Sequence, residues 1–130
     1  MRVAIIPARG GSKRIPRKNI KYFHGKPMIG WSIEVSISSG LFDRIIVSTE
    51  DEEISSISKK FGAEVPYLRC KNLADDLTGT TDVICDAIKQ LNLGGFYPAE
   101  VCCIYPAAPF IRTSDLQLGL TNLQISGVDY

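Results

Sequence analysis

Short apolar runs alternate with segments of helical periodicity along the 130 residues of the chain. Apolar runs bounded by turn residues are typical of buried strands, and apolar residues spaced three and four apart are typical of amphipathic helices. The pattern predicts strands at residues 3–6, 42–48, 64–68, 100–105 and 127–130. Because helical segments separate these strands, we predict an α/β fold with a mainly parallel sheet and helices on both faces.

Boundary residues mark the four predicted helices. Pro27 suits the first turn of the first helix, where a missing N–H costs nothing. Thr49, with Glu52 three residues later, matches the capping box that opens a helix. The third helix is expected to begin at Thr80, and the fourth after residues 113–115. The residues expected to face the core are Met28, Ile29, Trp31 and Val35 in the first helix, Ile54, Ile57 and Phe61 in the second, Val83, Ile84, Ala87, Ile88 and Leu91 in the third, and Leu116, Leu120 and Leu123 in the fourth.

The composition is that of one globular domain, with 45% hydrophobic and 22% charged residues. A net charge of +1 argues against a general nucleic-acid or membrane surface. No apolar stretch approaches the ~20 residues of a membrane span, and a strand begins too early for a signal peptide. The four cysteines lack metal-site spacing and there is one histidine, so we expect no zinc site and a reduced, cytoplasmic protein.

The positive charge is concentrated just after the first strand, in residues 8–21, which we call the basic loop. Six of the fifteen Lys and Arg residues lie there, together with Gly10 and Gly11. Glycines let the backbone approach an anion, and Lys13 would add a point charge and Arg9 or Arg14 a planar fork. The loop matches neither the Walker pattern nor the dinucleotide fingerprint. It predicts a phosphate site, with a solvated basic loop or a nucleic-acid patch as alternatives.

The predicted topology brings several loops to one place. In a parallel α/β sheet, ligands bind beyond the carboxyl ends of the strands. Those ends are followed here by residues 8–19, 48–51, 69–81 and 105–112. We therefore expect the basic loop, the segment around Arg69 and the proline-rich loop at residues 105–112 to face one cleft.

The run Pro-Ala-Arg-Gly-Gly-Ser-Lys-Arg-Ile-Pro from residue 7, followed by Asn19, resembles the opening motif of the acylneuraminate cytidylyltransferases. The resemblance continues through residues 25–27, 42–49, 62–65 and 105–110, and so covers nearly the whole chain. Together with Tyr-Pro-Ala-Ala-Pro-Phe at 105–110, the motif is most similar to the pseudaminic acid branch. The family implies a three-layer Rossmann-like nucleotidyltransferase fold, of which residues 1–130 would form the N-terminal, nucleotide-binding part.

The resemblance implies a reaction and a set of roles. Enzymes of this family join CTP to a nine-carbon keto acid sugar, forming a CMP-sugar and pyrophosphate. Lys13 and Arg9 would be catalytic, because their charge favours departure of pyrophosphate. Tyr105 stands where sialic acid members have a glutamine, so it would contact the sugar or the nucleotide. The residues implied to bind CTP are Ala8, Arg9, Gly10, Gly11, Ser12, Lys13, Asn19, Arg69 and Thr80.

Other interpretations of these residues stay open. Arg17 is expected to be structural or solvent-facing rather than catalytic. Arg69 would equally pair with Asp75 or Asp76. Thr80 is also a candidate helix cap.

The resemblance implies Mg²⁺ as cofactor, with carboxylate ligands located after residue 130. Asp82 and Asp86 share one helix face but are expected to be solvated acids rather than ligands. Family members are longer than this chain, and the remainder would hold much of the sugar pocket and the segment that forms a homodimer. We therefore expect weak or no turnover by the 130 residues alone.

Alternative functions are synthesis of CMP-N-acetylneuraminate or CMP-legionaminate, and an inactive remnant that at most binds CTP. A nucleic-acid-binding module is a further alternative. It has little support, because Tyr22 and Phe23 follow the cations of the basic loop rather than alternating with them.

Overall fold

A computed structural model describes residues 1–11, 17–70 and 79–126 of the chain. Strand β1 is followed by a single 3-10 turn, a two-stranded ribbon and then alternating helices and strands. The elements are β1 (Arg2–Pro7), the 3-10 turn (Lys18–Ile20), β2 (Tyr22–Phe23), β3 (Lys26–Pro27), α1 (Met28–Ser39), β4 (Arg44–Ser48), α2 (Glu52–Lys60), α3 (Thr80–Leu93), β5 (Glu100–Cys103) and α4 (Thr113–Ser126).

The main sheet has the strand order β4-β1-β5, and both pairings are parallel. Its central strand, β1, is buried on both faces, and residues 3 to 6 have no exposed surface. A strand buried on both sides reads as a continuous apolar run rather than an alternating one, as Val-Ala-Ile-Ile does here. The predicted parallel α/β sheet is confirmed.

Alternate residues of β1 contribute to two cores, one on each face of the sheet. Ala4 and Ile6 pack with Ile33 of α1 and Ile54 of α2. On the other face, Val3, Ile5 and Ile46 pack with residues of α3, among them Ala87 and Leu91. Helices therefore cover both faces, as predicted. Helices α1 and α2 on one face and α3 on the other thus fix the position of the sheet, including the carboxyl ends of β1 and β4.

The buried face of α1 differs from the prediction. Ile29 and Ile33 are fully buried with Ser32 and Ser36, whereas Met28, Trp31 and Val35 are partly exposed. The two serines occupy core positions because their hydroxyls are satisfied within the fold. Ser36 Oγ donates to the carbonyl of Ser32 at 2.7 Å, and Ser32 Oγ donates to the carbonyl of Tyr105 at 2.8 Å. A prediction from the spacing of hydrophobic residues therefore misses buried serines such as these.

The predicted strand at residues 64–68 is wrong as a continuous strand. Two isolated parallel bridges replace it, one joining Glu64 to Ile46 and the other joining Leu68 to Thr49. Pro66 lies between them, and proline has no N–H to continue a ladder. The segment still runs beside β4 and delivers Arg69 to the carboxyl end of the sheet. Strand β5 ends at Cys103, two residues before the predicted end, and the strand predicted at 127–130 lies outside the described residues.

The helix starts also bring corrections. Asp51, not Thr49, caps α2, since Asp51 Oδ1 accepts the N–H of Ile54 at 2.9 Å. Thr49 is fully buried, and its hydroxyl accepts the N–H of Asp51. Helix α3 begins at Thr80 as predicted, but Gly79 is its N-cap, so the interpretation of Thr80 as a cap is wrong. None of the described helices is both long and apolar enough to span a membrane.

Candidate functional site

Three segments meet at the carboxyl end of the sheet. Beyond β1, the N–H of Ala8 donates to the carbonyl of Ser48 at 2.9 Å. Beyond β4, the carbonyl of Thr49 accepts the N–H of Arg69 at 2.8 Å. The start of the basic loop, the β4–α2 connection and the Arg69 segment therefore run side by side, as predicted for the basic loop and the Arg69 segment. That the proline-rich loop at residues 105–112 joins them stays a prediction.

Gly10 packs tightly against the turn formed by residues 49–53, which we call the acidic turn. Its N–H donates to Glu50 Oε1 at 2.5 Å. A Cβ on Gly10 would lie 2.8 Å from Asp51 Cβ and 2.8 Å from Glu50 Oε1. Only glycine fits without a shift at that distance. Gly11, by contrast, is exposed, and its Cβ would meet no described atom within 4 Å.

The sequence analysis missed Glu50, although a signal for it was available. We expected the N–H of Gly10 to face a ligand, yet a carboxylate of the protein accepts it. Glu50 lies two residues after a predicted strand whose carboxyl end borders that of β1. An acidic residue at that position lies next to the basic loop by topology alone.

Arg17 fixes the far side of the basic loop to the same turn. It donates to both carboxylate oxygens of Asp51, one of them at 2.9 Å, and to Glu53 Oε1 at 2.6 Å. These bonds raise the pKa of Arg17. They also lower the pKa of Asp51, with help from the N–H of Ile54. This arrangement fits the structural role expected for Arg17.

Asn19 is buried and shapes the backbone at the start of the basic loop. Its Nδ2 donates to the carbonyl of Arg9 at 2.9 Å. Its Oδ1 has no hydrogen-bond partner among the residues that the structure describes. Arg9 itself is half-buried. The implied nucleotide contact of Asn19 stays a prediction, while its hold on the Arg9 carbonyl is seen directly.

Arg69 lies behind the acidic turn, with its side chain only 3% exposed. Its Nη2 is 3.5 Å from Glu50 Oε2, so Glu50 lies between the guanidinium and the N–H of Gly10. Burial lowers the pKa of Arg69, an effect that the charge of Glu50 opposes. The alternative partners Asp75 and Asp76 lie outside the described residues.

Tyr67, which is partly buried, and Asp86 of α3 belong to the electrostatic surroundings of Arg69. The hydroxyl of Tyr67 lies 3.5 Å from Ser48 Oγ, and burial raises its pKa. The charge of Asp86 acts on both Tyr67 and Arg69. Asp82 is exposed as expected, but Asp86 is half-buried and belongs to this network, so the expectation of a solvated acid is wrong for it.

The remaining predicted residues are less closely assembled. Thr80 is exposed in the first turn of α3. The Tyr105 side chain is exposed while its carbonyl is held by Ser32. Ser12 and Lys13 lie outside the described residues. The structure therefore brings together Ala8, Arg9, Gly10, Asn19 and Arg69, and leaves the roles of the others as predictions.

Metal binding was tested against the side chains present. Across residues 1–11, 17–70 and 79–126, no group of three or more His, Cys, Asp or Glu residues could hold a metal ion. The described part of the chain therefore does not fit a self-contained Mg²⁺ site.

A cavity of about 470 Å³ lies away from the basic loop. It is enclosed by β5, α4 and the connection before β4, and its walls include Phe42, Val101, Leu116 and Leu120. None of the predicted site residues lines it. Leu116, Leu120 and Leu123, the predicted inner face of α4, line this cavity and are therefore only partly buried.

Comparisons with known proteins agree on one family. A family profile described as cytidylyltransferase matches residues 3–130. The chain is 48% identical over 115 residues to the pseudaminic acid cytidylyltransferase of Campylobacter jejuni, covering 88% of this chain and 50% of that protein. It is 31% identical over 125 residues to the CMP-N,N'-diacetyllegionaminic acid synthase of Legionella pneumophila, covering 96% and 54%. The chain thus spans about half the length of the curated relatives it matches.

A solved structure supports the fold independently. The structure of CMP:2-keto-3-deoxy-manno-octonic acid synthetase complexed with CTP superposes with a TM-score of 0.82. The match covers 98% of this chain and 48% of the synthetase chain, at 23% sequence identity. Identity that low carries the fold alone, and the predicted nucleotidyltransferase fold is confirmed.

Proposed function

Because the chain belongs to the cytidylyltransferase family, we propose that this protein takes part in transferring CMP from CTP to a nonulosonic acid. Pseudaminic acid is the favoured sugar, and the products are a CMP-sugar and pyrophosphate. Residues 1–130 supply the nucleotide-binding part of a single domain. The observation that carries this proposal is the junction of the basic loop with the acidic turn and Arg69 at the carboxyl end of a parallel sheet.

The chemistry of the reaction explains why such a junction is useful. The anomeric hydroxyl of the sugar attacks the α-phosphorus, the bond from that phosphorus to the bridging oxygen breaks, and pyrophosphate leaves. Negative charge grows on the departing group, so nearby cations and N–H donors lower the barrier. Arg9 lies two residues beyond the end of β1, which supports this proposed role for it, and the family motif supports the same role for Lys13.

The residues proposed to bind CTP fall into two groups. Ala8, Arg9, Gly10, Gly11, Ser12 and Lys13 follow β1 and would hold the triphosphate. Asn19 orients the carbonyl of Arg9, while Arg69 and Thr80 would border the base. Since Arg69 is nearly inaccessible behind Glu50, we expect it to reach the nucleotide only when the carboxylate of Glu50 moves aside.

A second sugar is favoured by a specific observation. The similarity to a legionaminic acid synthase covers nearly all of this chain, so CMP-legionaminate synthesis is the main alternative. Tyr105 is the residue proposed to help in this choice, since its side chain is exposed beyond β5. Substituting Tyr105→Gln would test it by the ratio of kcat/KM for the two sugars in the complete enzyme.

The family resemblance also supports three finer proposals. They are a requirement for Mg²⁺ with ligands outside these 130 residues, a homodimeric assembly, and a cytoplasmic location. Chelation with EDTA, measurement of mass in solution, and cell fractionation test them in turn. Retained turnover in EDTA, a monomer at micromolar concentration, or recovery outside the cytoplasm would contradict the respective proposal.

Calorimetric titration tests the nucleotide proposal. CTP, UTP and a short oligonucleotide are titrated into the chain with and without Mg²⁺. Saturable binding that prefers CTP to UTP supports a cytidylyltransferase site. Oligonucleotide binding that weakens steeply with salt would support a nucleic-acid module instead, and absence of all binding would support an inactive remnant.

A further inference from the structure

The carboxylate of Glu50 occupies the donors that a phosphate would need. Its Oε1 accepts the N–H of Gly10 at 2.5 Å, and its Oε2 lies 3.5 Å from Arg69 Nη2. A backbone N–H in a glycine loop and a guanidinium are the groups that proteins commonly offer to phosphate oxygens. The site therefore already holds an anion, and that anion belongs to the protein.

The two neighbouring carboxylates of the acidic turn are held very differently. Asp51 caps α2 through the N–H of Ile54 and receives two hydrogen bonds from Arg17. Displacing it would uncap a helix and break an ion pair. Glu50 has one short bond to Gly10 and a long contact to Arg69, and its side chain is 15% exposed. Glu50 is thus the carboxylate that can leave while the turn stays in place.

We propose that Glu50 takes the place of a nucleotide phosphate in the ligand-free chain, and that a triphosphate binds by displacing its carboxylate from the N–H of Gly10. The inference rests on the proposed function for the identity of the ligand as CTP. The displacement itself concerns any oligophosphate. Glu50 in this role sets the affinity of the site, because each binding event must break its contacts.

The charge of Glu50 predicts the direction of the effect. A triphosphate that approaches Gly10 comes close to this carboxylate, because the carboxylate accepts the N–H of Gly10. Like charges at such short range repel strongly even at the effective dielectric of a protein surface. Glu50→Gln removes the charge but keeps a side-chain oxygen that accepts the N–H of Gly10. We expect this variant to bind triphosphates about tenfold more tightly, since the loop is retained and the repulsion is lost.

The experiment compares Glu50→Gln with a control that has the same change in net charge. Glu52 is exposed on the first turn of α2 and makes none of the described contacts that join the acidic turn to Gly10, Arg17 and Arg69, so Glu52→Gln is the matched variant. CTP and inorganic tripolyphosphate are titrated into each full chain without divalent metal, at constant ionic strength. The expected result is about tenfold tighter binding of both probes by Glu50→Gln, and less than a twofold change for Glu52→Gln.

The outcomes separate this inference from the proposed function. If the wild-type chain binds CTP and Glu50→Gln binds it equally or more weakly, the Glu50 side chain is not displaced by the ligand. In that case only this inference is overturned. If neither chain binds CTP or tripolyphosphate, both proposals are overturned. If Glu50→Gln does not fold, the amide resonance of Gly10 is followed in the wild-type chain. A shift on adding tripolyphosphate is expected, and an unmoved resonance at saturation overturns the inference.

Discussion

Gly10→Ala is the substitution that most sharply tests how the basic loop meets the acidic turn. The new Cβ would lie 2.8 Å from Asp51 Cβ, well inside van der Waals contact. Asp51 Cβ cannot yield as the tip of a flexible side chain would, because Asp51 caps α2 and pairs with Arg17. The same Cβ would press on Glu50 Oε1. Overpacking of this kind costs about 1–3 kcal/mol of unfolding free energy.

Thermal unfolding of Gly10→Ala and Gly11→Ala provides the measurement and its control. For a domain of this size, each kcal/mol shifts Tm by roughly 3–5 °C, so Gly10→Ala should unfold about 3–15 °C below wild type. Gly11→Ala should stay within about 2 °C, since its Cβ meets no described atom within 4 Å. Equal Tm values for the two variants would refute the close packing of Gly10 on the acidic turn.

Three further predictions follow from other contacts. Ser32→Ala should lower the unfolding free energy by about 1–2 kcal/mol, because the carbonyl of Tyr105 loses a buried donor. Ser38 is exposed on the same helix, so Ser38→Ala should cost less than about 0.5 kcal/mol. Equal losses for the two variants in urea unfolding would contradict the hydrogen bond from Ser32 to Tyr105. Asp51→Asn keeps a helix cap but loses the ion pair with Arg17. The free energy of unfolding of the wild type should therefore exceed that of the variant by about 1 kcal/mol at pH 7. Since the folded pKa of Asp51 is lowered, that advantage should shrink as the pH falls through about 4 towards the lower folded pKa, and a constant difference from pH 7 to pH 3 would count against it. Arg9→Met should weaken CTP binding at least about tenfold in calorimetry, and unchanged affinity would remove Arg9 from the site.

The parts of the fold that could be predicted are the elements whose buried positions are occupied by hydrophobic residues. Strand β1 is a continuous apolar run because helices cover both of its faces, and α3 shows its buried face as Val83, Ala87 and Leu91. Helix α1 was harder to predict. Its buried face includes Ser32 and Ser36, whose hydroxyls are satisfied by carbonyls that no sequence pattern identifies.

The candidate site was predictable in its location but not in its contacts. Parallel topology alone placed the basic loop next to the β4–α2 connection. The family motif pointed to the cations and glycines that follow β1, but it gave no role to the acidic turn. Whether a carboxylate accepts the N–H of Gly10 depends on side-chain reach across two loops, as does the burial of Arg69 beneath Glu50. Those distances arise from packing, and a linear pattern does not contain them.

Hydrogen–deuterium exchange with CTP tests most directly the claim that the basic loop and the acidic turn form the nucleotide site. Saturating CTP should slow exchange in peptides that contain residues 8–11 and 49–51, because the bound ligand covers their amides. Peptides from α4, beside the 470 Å³ cavity, should exchange as before, and UTP at the same concentration should protect less than CTP. Protection confined to α4 and β5, or none with CTP at concentrations that saturate binding, would contradict the account.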